Sequence, residues 1–143
     1  MIYFDTSYLL KCYLAEPGHE AVRKLARGSG PLACVHYGMI ECRAGLHRHV
    51  REGKLTPAEA ALIFQVMQRD DDVGLVTWFP LAAQLDRVKQ EFEKLPATVF
   101  LRTADALHLL CAKEQGFTEI YSHDRHLLAA AAHFGLAGKN VIA

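Results

Sequence analysis

Short β-prone runs, each followed by a longer stretch with helical spacing, constrain this chain more than any other feature. The runs are Ile2-Tyr3-Phe4, Leu32-Ala33-Cys34-Val35, residues 73–78 and Glu119-Ile120-Tyr121-Ser122, with Asn140-Val141-Ile142 as a candidate edge strand. Thr6 and Ser7 offer N-cap hydroxyls to a first helix carrying Leu9, Leu10 and Leu14, which Pro17-Gly18 ends. A second short helix runs to about Arg27, and Gly28-Ser29-Gly30-Pro31 is a turn cluster. The third helix spans Tyr37 to Arg51, with Glu41 near its start. Thr56-Pro57-Ala58-Glu59 is a capping box with proline at the first helical position, opening a helix that ends near Asp70-Asp71-Asp72. Leu81, Leu85, Val88, Phe92 and Leu95 form one apolar stripe, expected to face the core. Thr103 is placed to cap a helix over 104–115, closed by Gly116, and a last helix passes through Leu127 and Leu128 to His133. Strands joined by helical crossovers run parallel, so the pattern predicts an α/β fold with a short parallel sheet covered by helices on both faces. At 143 residues the chain suits a single domain over 1–143.

Composition narrows the function classes. Hydrophobic residues make up 51% of the chain, which excludes a disordered tail. Sixteen Lys and Arg balance sixteen Asp and Glu, so the chain is not a purely electrostatic coater of DNA. Cys12, Cys34, Cys42 and Cys111 form no C-x-x-C pair and no zinc spacing, as expected of buried free thiols in a reducing compartment. The first residues lack a basic n-region, and no run of about 18 apolar residues occurs, so no membrane association and a cytoplasmic location are expected.

In an open parallel sheet, sites form beyond the carboxyl ends of the strands. Asp5 follows the first strand directly, and Asp124 lies two residues beyond Ser122. Glu41 stands beyond the second strand, and Asp105 falls in the first turn of its helix. Helix-terminal acids often only cap amides and complement the macrodipole, a reading open for Asp5 and above all for Asp124. Glu41 also reads as an ordinary surface glutamate. Asp105 is harder to dismiss: from 104 to 112 only Asp105 and His108 are polar, and an unpaired carboxylate in so buried a helix is costly. Pairing with Arg102 is the alternative. If the four acids meet, their repulsion requires a cation, and an all-oxygen set suits Mg²⁺ or Mn²⁺. Such an ion serves phosphodiester hydrolysis, with Ser7 or Ser122 as supporting hydroxyls.

These residues carry a resemblance. Asp5-Thr6-Ser7-Tyr8-Leu9-Leu10, Met39-Ile40-Glu41-Cys42-Arg43, Arg102-Thr103-Ala104-Asp105-Ala106-Leu107-His108 and Ser122-His123-Asp124-Arg125-His126-Leu127 resemble, in order, the motifs of PIN-domain nucleases. Short VapC-type toxins of toxin–antitoxin pairs are the most similar group. The resemblance implies a three-layer α/β/α sandwich and an Mg²⁺- or Mn²⁺-dependent endoribonuclease with Asp5, Glu41, Asp105 and Asp124 as its acids. It also implies a cognate antitoxin and a homodimer. Serine stands at 122 where the family frequently has threonine, which keeps the hydroxyl.

Arg102, Arg125 and Arg43 are candidate contacts to RNA phosphates, and the wider stretch Arg43, His47, Arg48, His49, Arg51 and Lys54 is either a phosphate-binding or a solvated helix face. His123 and His126 flank Asp124 without a third zinc ligand, His108 reads as a satisfied core histidine, and Asp70-Asp71-Asp72 as a solvated turn. Two competing functions are an aspartyl-phosphate phosphohydrolase with Asp5 as nucleophile and a non-catalytic RNA- or protein-binding module. The first expects an acid where Ser7 stands.

Overall fold

In the computed structural model, which describes residues 1–142, the strands are β1 (Ile2–Tyr3), β2 (Leu32–Val35), β3 (Val76–Phe79), β4 (Glu119–Tyr121) and β5 (Ala137–Lys139). The helices are α1 (Thr6–Tyr13), α2 (His19–Gly28), α3 (Tyr37–Arg51), α4 (Pro57–Asp72), α5 (Ala82–Lys94), α6 (Thr103–Glu114) and α7 (Arg125–Ala130), followed by a 3₁₀ turn over Ala131–Phe134. All pairings are parallel. β1 pairs β2 with Ile2 opposite Leu32, β2 pairs β3 with Leu32 opposite Val76, and β4 pairs β5 with Glu119 opposite Ala137. A single parallel bridge, Phe4 to Tyr121, joins the two groups, giving the spatial order β3-β2-β1-β4-β5.

That order fixes the layers. The crossovers β1→β2 and β2→β3 move one way along the sheet, while β3→β4 and β4→β5 move the other way, so right-handed connections put α1–α4 on one face and α5–α7 on the opposite face. The packing agrees: α1 lies against α2 and α3, α3 against α4, and α6 against β2, β4, α5 and α7. The result is the expected three-layer α/β/α sandwich. β2 is buried at all four positions, as a central strand covered on both faces must be.

α3 approaches the sheet and α1 closely because two glycines lie on its inner face. A Cβ at Gly38 would sit 2.5 Å from Cys34 Sγ, and one at Gly45 2.7 Å from Leu10 Cδ1. With Cys42 and Leu46 they make the buried stripe, beside which Glu41 emerges. α6 is buried from Asp105 through Ala112, as its composition requires.

Several local expectations differ from the structure. The third strand begins at Val76, because Val73 and Gly74 close α4. α4 includes all of Asp70, Asp71 and Asp72, and these are not a solvated turn: Asp71 accepts from Trp78 Nε1 at 2.8 Å and Asp70 from Tyr13 Oη at 3.2 Å. The last strand is Ala137–Lys139, not Asn140-Val141-Ile142. Asn140 instead accepts from Tyr8 Oη, whose oxygen takes the Val141 N–H. Of the α5 stripe, Leu81, Val88 and Leu95 are partly buried, while Leu85 and Phe92 are exposed. Thr103 is the first residue of α6 and not its cap, a position held by Arg102 without a side-chain bond. The capping box is present as expected. Among the described residues no helix is long and apolar enough to cross a membrane.

Candidate functional site

The strand order reverses at β1, with β2 on one side and β4 on the other, and the ends of these central strands open into a cleft of about 670 Å³. Asp5, Glu41, Asp105 and Asp124 all line it, with Thr6, Ser7, His47, Arg48, Arg51, Arg102 and His108. Four elements remote in sequence therefore deliver one carboxylate each. A second concavity, about 450 Å³ between α1, α2 and α4, is lined by apolar groups such as Leu62, Ile63 and Val66 and lies away from these acids.

Asp5 is both the N-cap of α1 and a buried site carboxylate, only 5% exposed. Its Oδ1 accepts from the Tyr8 N–H at 3.0 Å and from Ser7 Oγ at 2.7 Å, and its Oδ2 from Ser122 Oγ at 2.5 Å. Thr6 and Ser7 thus do not cap the helix; the Ser7 hydroxyl donates to the residue that does. Burial pushes the Asp5 carboxyl above the ordinary aspartate range, against the opposing pull of His108, Ser122, Ser7 and the Tyr8 amide. Ser122, fully buried, also accepts the Asp124 N–H at 2.9 Å, and Ser7 accepts the His123 N–H at 3.1 Å. The two hydroxyls tie β1 to the turn after β4.

Glu41 is held from two sides at the same atom. Its Oε1 accepts from Thr6 Oγ1 at 2.8 Å and from His108 Nε2 at 2.7 Å. Burial raises the Glu41 carboxyl, but the His108 hydrogen bond and charge and the Thr6 hydroxyl outweigh it and hold it below the ordinary range. Facing a carboxylate, Nε2 must carry a proton. On the other side of the ring, Tyr3 Oη accepts the Val35 N–H at 3.0 Å and stands 3.2 Å from Nδ1. The chain Val35, Tyr3, His108, Glu41 links the β2 backbone to the cleft. His108 is 2% exposed, a satisfied core histidine as expected, but its partner is a site acid.

Asp105 and His108 lie three residues apart on α6 and share the face toward the cleft. Arg102 Nε donates to Asp105 Oδ2 at 3.0 Å, and its terminal nitrogen bonds Asp124 Oδ2. Asp124 caps α7 through Oδ1, which accepts from the His126 and Leu127 N–H groups. Burial raises the Asp124 carboxyl, but those two amides, Arg102 and His126 outweigh it and hold it below its usual range. Both the capping reading and the pairing reading are therefore true of residues that also face the cleft.

The cation candidates separate. Arg102 is in the cleft, as are His47, Arg48 and Arg51 from the basic stretch. Arg43 is not: it pairs with Asp71 at 3.3 Å on the far side of α3. Arg125 is exposed at the start of α7 and does not line the cleft, and His49 is buried against Glu16 at 3.0 Å. Thr6 and His108 are the site residues that sequence reasoning missed as ligands of Glu41. The i, i+3 spacing of the only two polar residues of the buried α6 segment was the available signal.

The donor set fits a hard divalent ion, since Asp5, Glu41, Asp105 and Asp124 offer only oxygens and both nitrogens of His108 are engaged. Among the described residues no three His, Cys, Asp or Glu side chains are gathered closely enough to hold a metal ion as they stand. Arg102 occupies the gap between Asp105 and Asp124. The phosphohydrolase reading loses support, because both Asp5 oxygens are hydrogen-bonded and no lysine lines the cleft. Burial raises the four free thiols, that of Cys12 to about 11 and of Cys42 to about 12, so they are inert at neutral pH.

A sheet of this order with acids from four elements at the ends of its central strands is the arrangement of the PIN domain, whose family model matches residues 2–133; the chain belongs to that family. Among solved structures it is similar to Mycobacterium tuberculosis VapC20, a Sarcin-Ricin loop cleaving toxin, at 16% identity and a TM-score of 0.68, over 91% of this chain and 95% of that one. At that identity the likeness is one of fold. No curated protein matches the chain.

Proposed function

We propose that this protein is an Mg²⁺- or Mn²⁺-dependent endoribonuclease, the toxin of a toxin–antitoxin pair, with Asp5, Glu41, Asp105 and Asp124 as its catalytic acids. The observation that carries the reading is the convergence of these four carboxylates on one cleft that also holds Arg48, Arg51 and Arg102. VapC20, similar in fold, is a Sarcin-Ricin loop cleaving toxin by its description. Bound among the acids, the divalent ion would neutralise charge developing at a scissile phosphate and acidify a water.

The protein's own residues do the rest. Asp5, Asp105 and Asp124 are the ion's carboxylates, and Glu41, kept ionised by His108 and Thr6, is the fourth. Ser7 and Ser122 hold Asp5 from both oxygens. His47, Arg48 and Arg51 line the wall contributed by α3 and bind phosphates of the RNA backbone, fixing its position without reading its sequence. A cognate antitoxin, a homodimer and a cytoplasmic location belong to the same proposal.

The test is cleavage of a mixed RNA by purified protein with Mg²⁺ or Mn²⁺. Asp5→Asn abolishes cutting while the far-UV circular dichroism stays that of the parent. Cutting at the parental rate by the variant, or equal cutting in EDTA, refutes the proposal.

A further inference from the structure

Clustered carboxylates repel one another, so the folded chain must neutralise them before any ion arrives. For Asp105 and Asp124 the neutralising group is Arg102. Its guanidinium spans from the first turn of α6 to the cap of α7, with Nε on Asp105 Oδ2 at 3.0 Å and the terminal nitrogen on Asp124 Oδ2. It takes one oxygen of each acid. Asp124 Oδ1 is committed to two amides of α7, and among the described residues Asp105 has no hydrogen-bond donor besides Arg102. With Arg102 in place, no buried side-chain nitrogen or oxygen among the described residues lacks a partner.

We propose that Arg102 is the resident counter-cation of the cleft: a divalent ion must displace its guanidinium from Asp105 and Asp124 in order to bind, and the released arginine then meets an RNA phosphate. The inference rests on the metal-ion reading above and assigns Arg102 a role opposed to the ion, not beside it. The side chains of Asp105 and Asp124 are 10% and 24% exposed, but that of Arg102 is 57% exposed. It can therefore swing into solvent without disturbing the core, and exposed ion pairs are weak enough for a doubly charged competitor to win. The planar fork matters, because it engages two carboxylates that lysine's single ammonium cannot bridge in the same way.

The experiment is calorimetric binding of Mn²⁺ alone, without RNA, to the parent, Arg102→Gln and Arg102→Lys. Arg102→Gln is expected to bind Mn²⁺ roughly tenfold more tightly, about 1.4 kcal/mol. Arg102→Lys falls between the two. In EDTA Arg102→Gln melts below the parent, and the gap closes at saturating Mn²⁺, because coupling between the ion and the arginine is reciprocal. Unchanged or weaker Mn²⁺ binding by Arg102→Gln, with binding by the parent measurable, overturns the proposal and leaves the metal-ion reading standing. No binding by any of the three overturns both. Should Arg102→Gln not fold, Arg102→Lys decides alone: tighter binding than the parent supports displacement, equal or weaker binding refutes it.

Discussion

Ser122→Ala removes one hydroxyl that serves two acids, and its cost can be worked from the contacts. The bond from Ser122 Oγ to Asp5 Oδ2, 2.5 Å long and fully buried, joins a donor to a charged acceptor and is worth about 1.5–3 kcal/mol. The same oxygen accepts the Asp124 N–H at 2.9 Å, which adds about 0.5–1.5 kcal/mol. A loss near 3 kcal/mol is expected (about the middle of the summed range). For 143 residues the unfolding entropy is about 0.3 kcal/mol/K, so the melting temperature falls by about 10 °C. Burial raises the Asp5 carboxyl and Ser122 pulls it down, so the variant raises it further. A carboxyl raised by folding is destabilising above its folded range and ceases to be so once protonated. The penalty is therefore largest near neutral pH and shrinks as pH falls through the Asp5 range. Thermal unfolding followed by circular dichroism at neutral pH and at about pH 4 measures it. A change under about 2 °C at neutral pH, or the same loss at both, refutes the reasoning.

Asp5→Asn is expected to melt above the parent in EDTA at neutral pH, since it removes a buried charge while Nδ2 can donate to Ser122 Oγ, and the advantage vanishes in acid, where the parent's Asp5 is neutral. Glu41 and Asp124, held low by folding, have the opposite sign: their contribution is present above the ordinary carboxylate range and lost as pH falls below it. His108→Leu strips the Nε2 proton from Glu41 and is expected to weaken Mn²⁺ binding by about tenfold or more, while the acid limb of the pH–rate profile moves up. His108→Gln, which keeps an N–H donor, recovers part of both, as calorimetry and kinetics will show. Thr56→Ala breaks an exposed capping box far from the cleft; melting is expected to fall by about 3 °C, for about 1 kcal/mol, with RNA cleavage unchanged.

The sequence was most informative where one physical requirement dominated. α3 spans Tyr37–Arg51 as read, because turn and strand signals bound it tightly, and Asp105 stood out because a buried helix cannot carry an idle carboxylate. What misled was local propensity overruled by long-range partners. Asn140-Val141-Ile142 looks more like a strand than Ala137-Gly138-Lys139, yet Tyr8 takes the Asn140 side chain and the Val141 amide, leaving the weaker former to pair with β4. Thr6 and Ser7 have capping hydroxyls, but β1 delivers Asp5 to the cap position first. The basic stretch could not be sorted without knowing which side of α3 meets the cleft. Arg48 lies seven residues from Glu41, near two whole turns, whereas Arg43 lies two away, on the opposite side.

β1 is two residues long, and among the described residues a single bridge from Phe4 to Tyr121 is all the ladder that joins the two halves of the sheet. The Asp5 N–H donates to the Tyr121 carbonyl at 3.0 Å, and beyond it Ser122 to Asp5 and His123 to Ser7 continue the seam. Cohesion and chemistry thus draw on the same few atoms. Any retuning of these hydroxyls for turnover also alters bonds that hold the two halves of the sheet together, and amide exchange should register such a change first at Asp5 and His123.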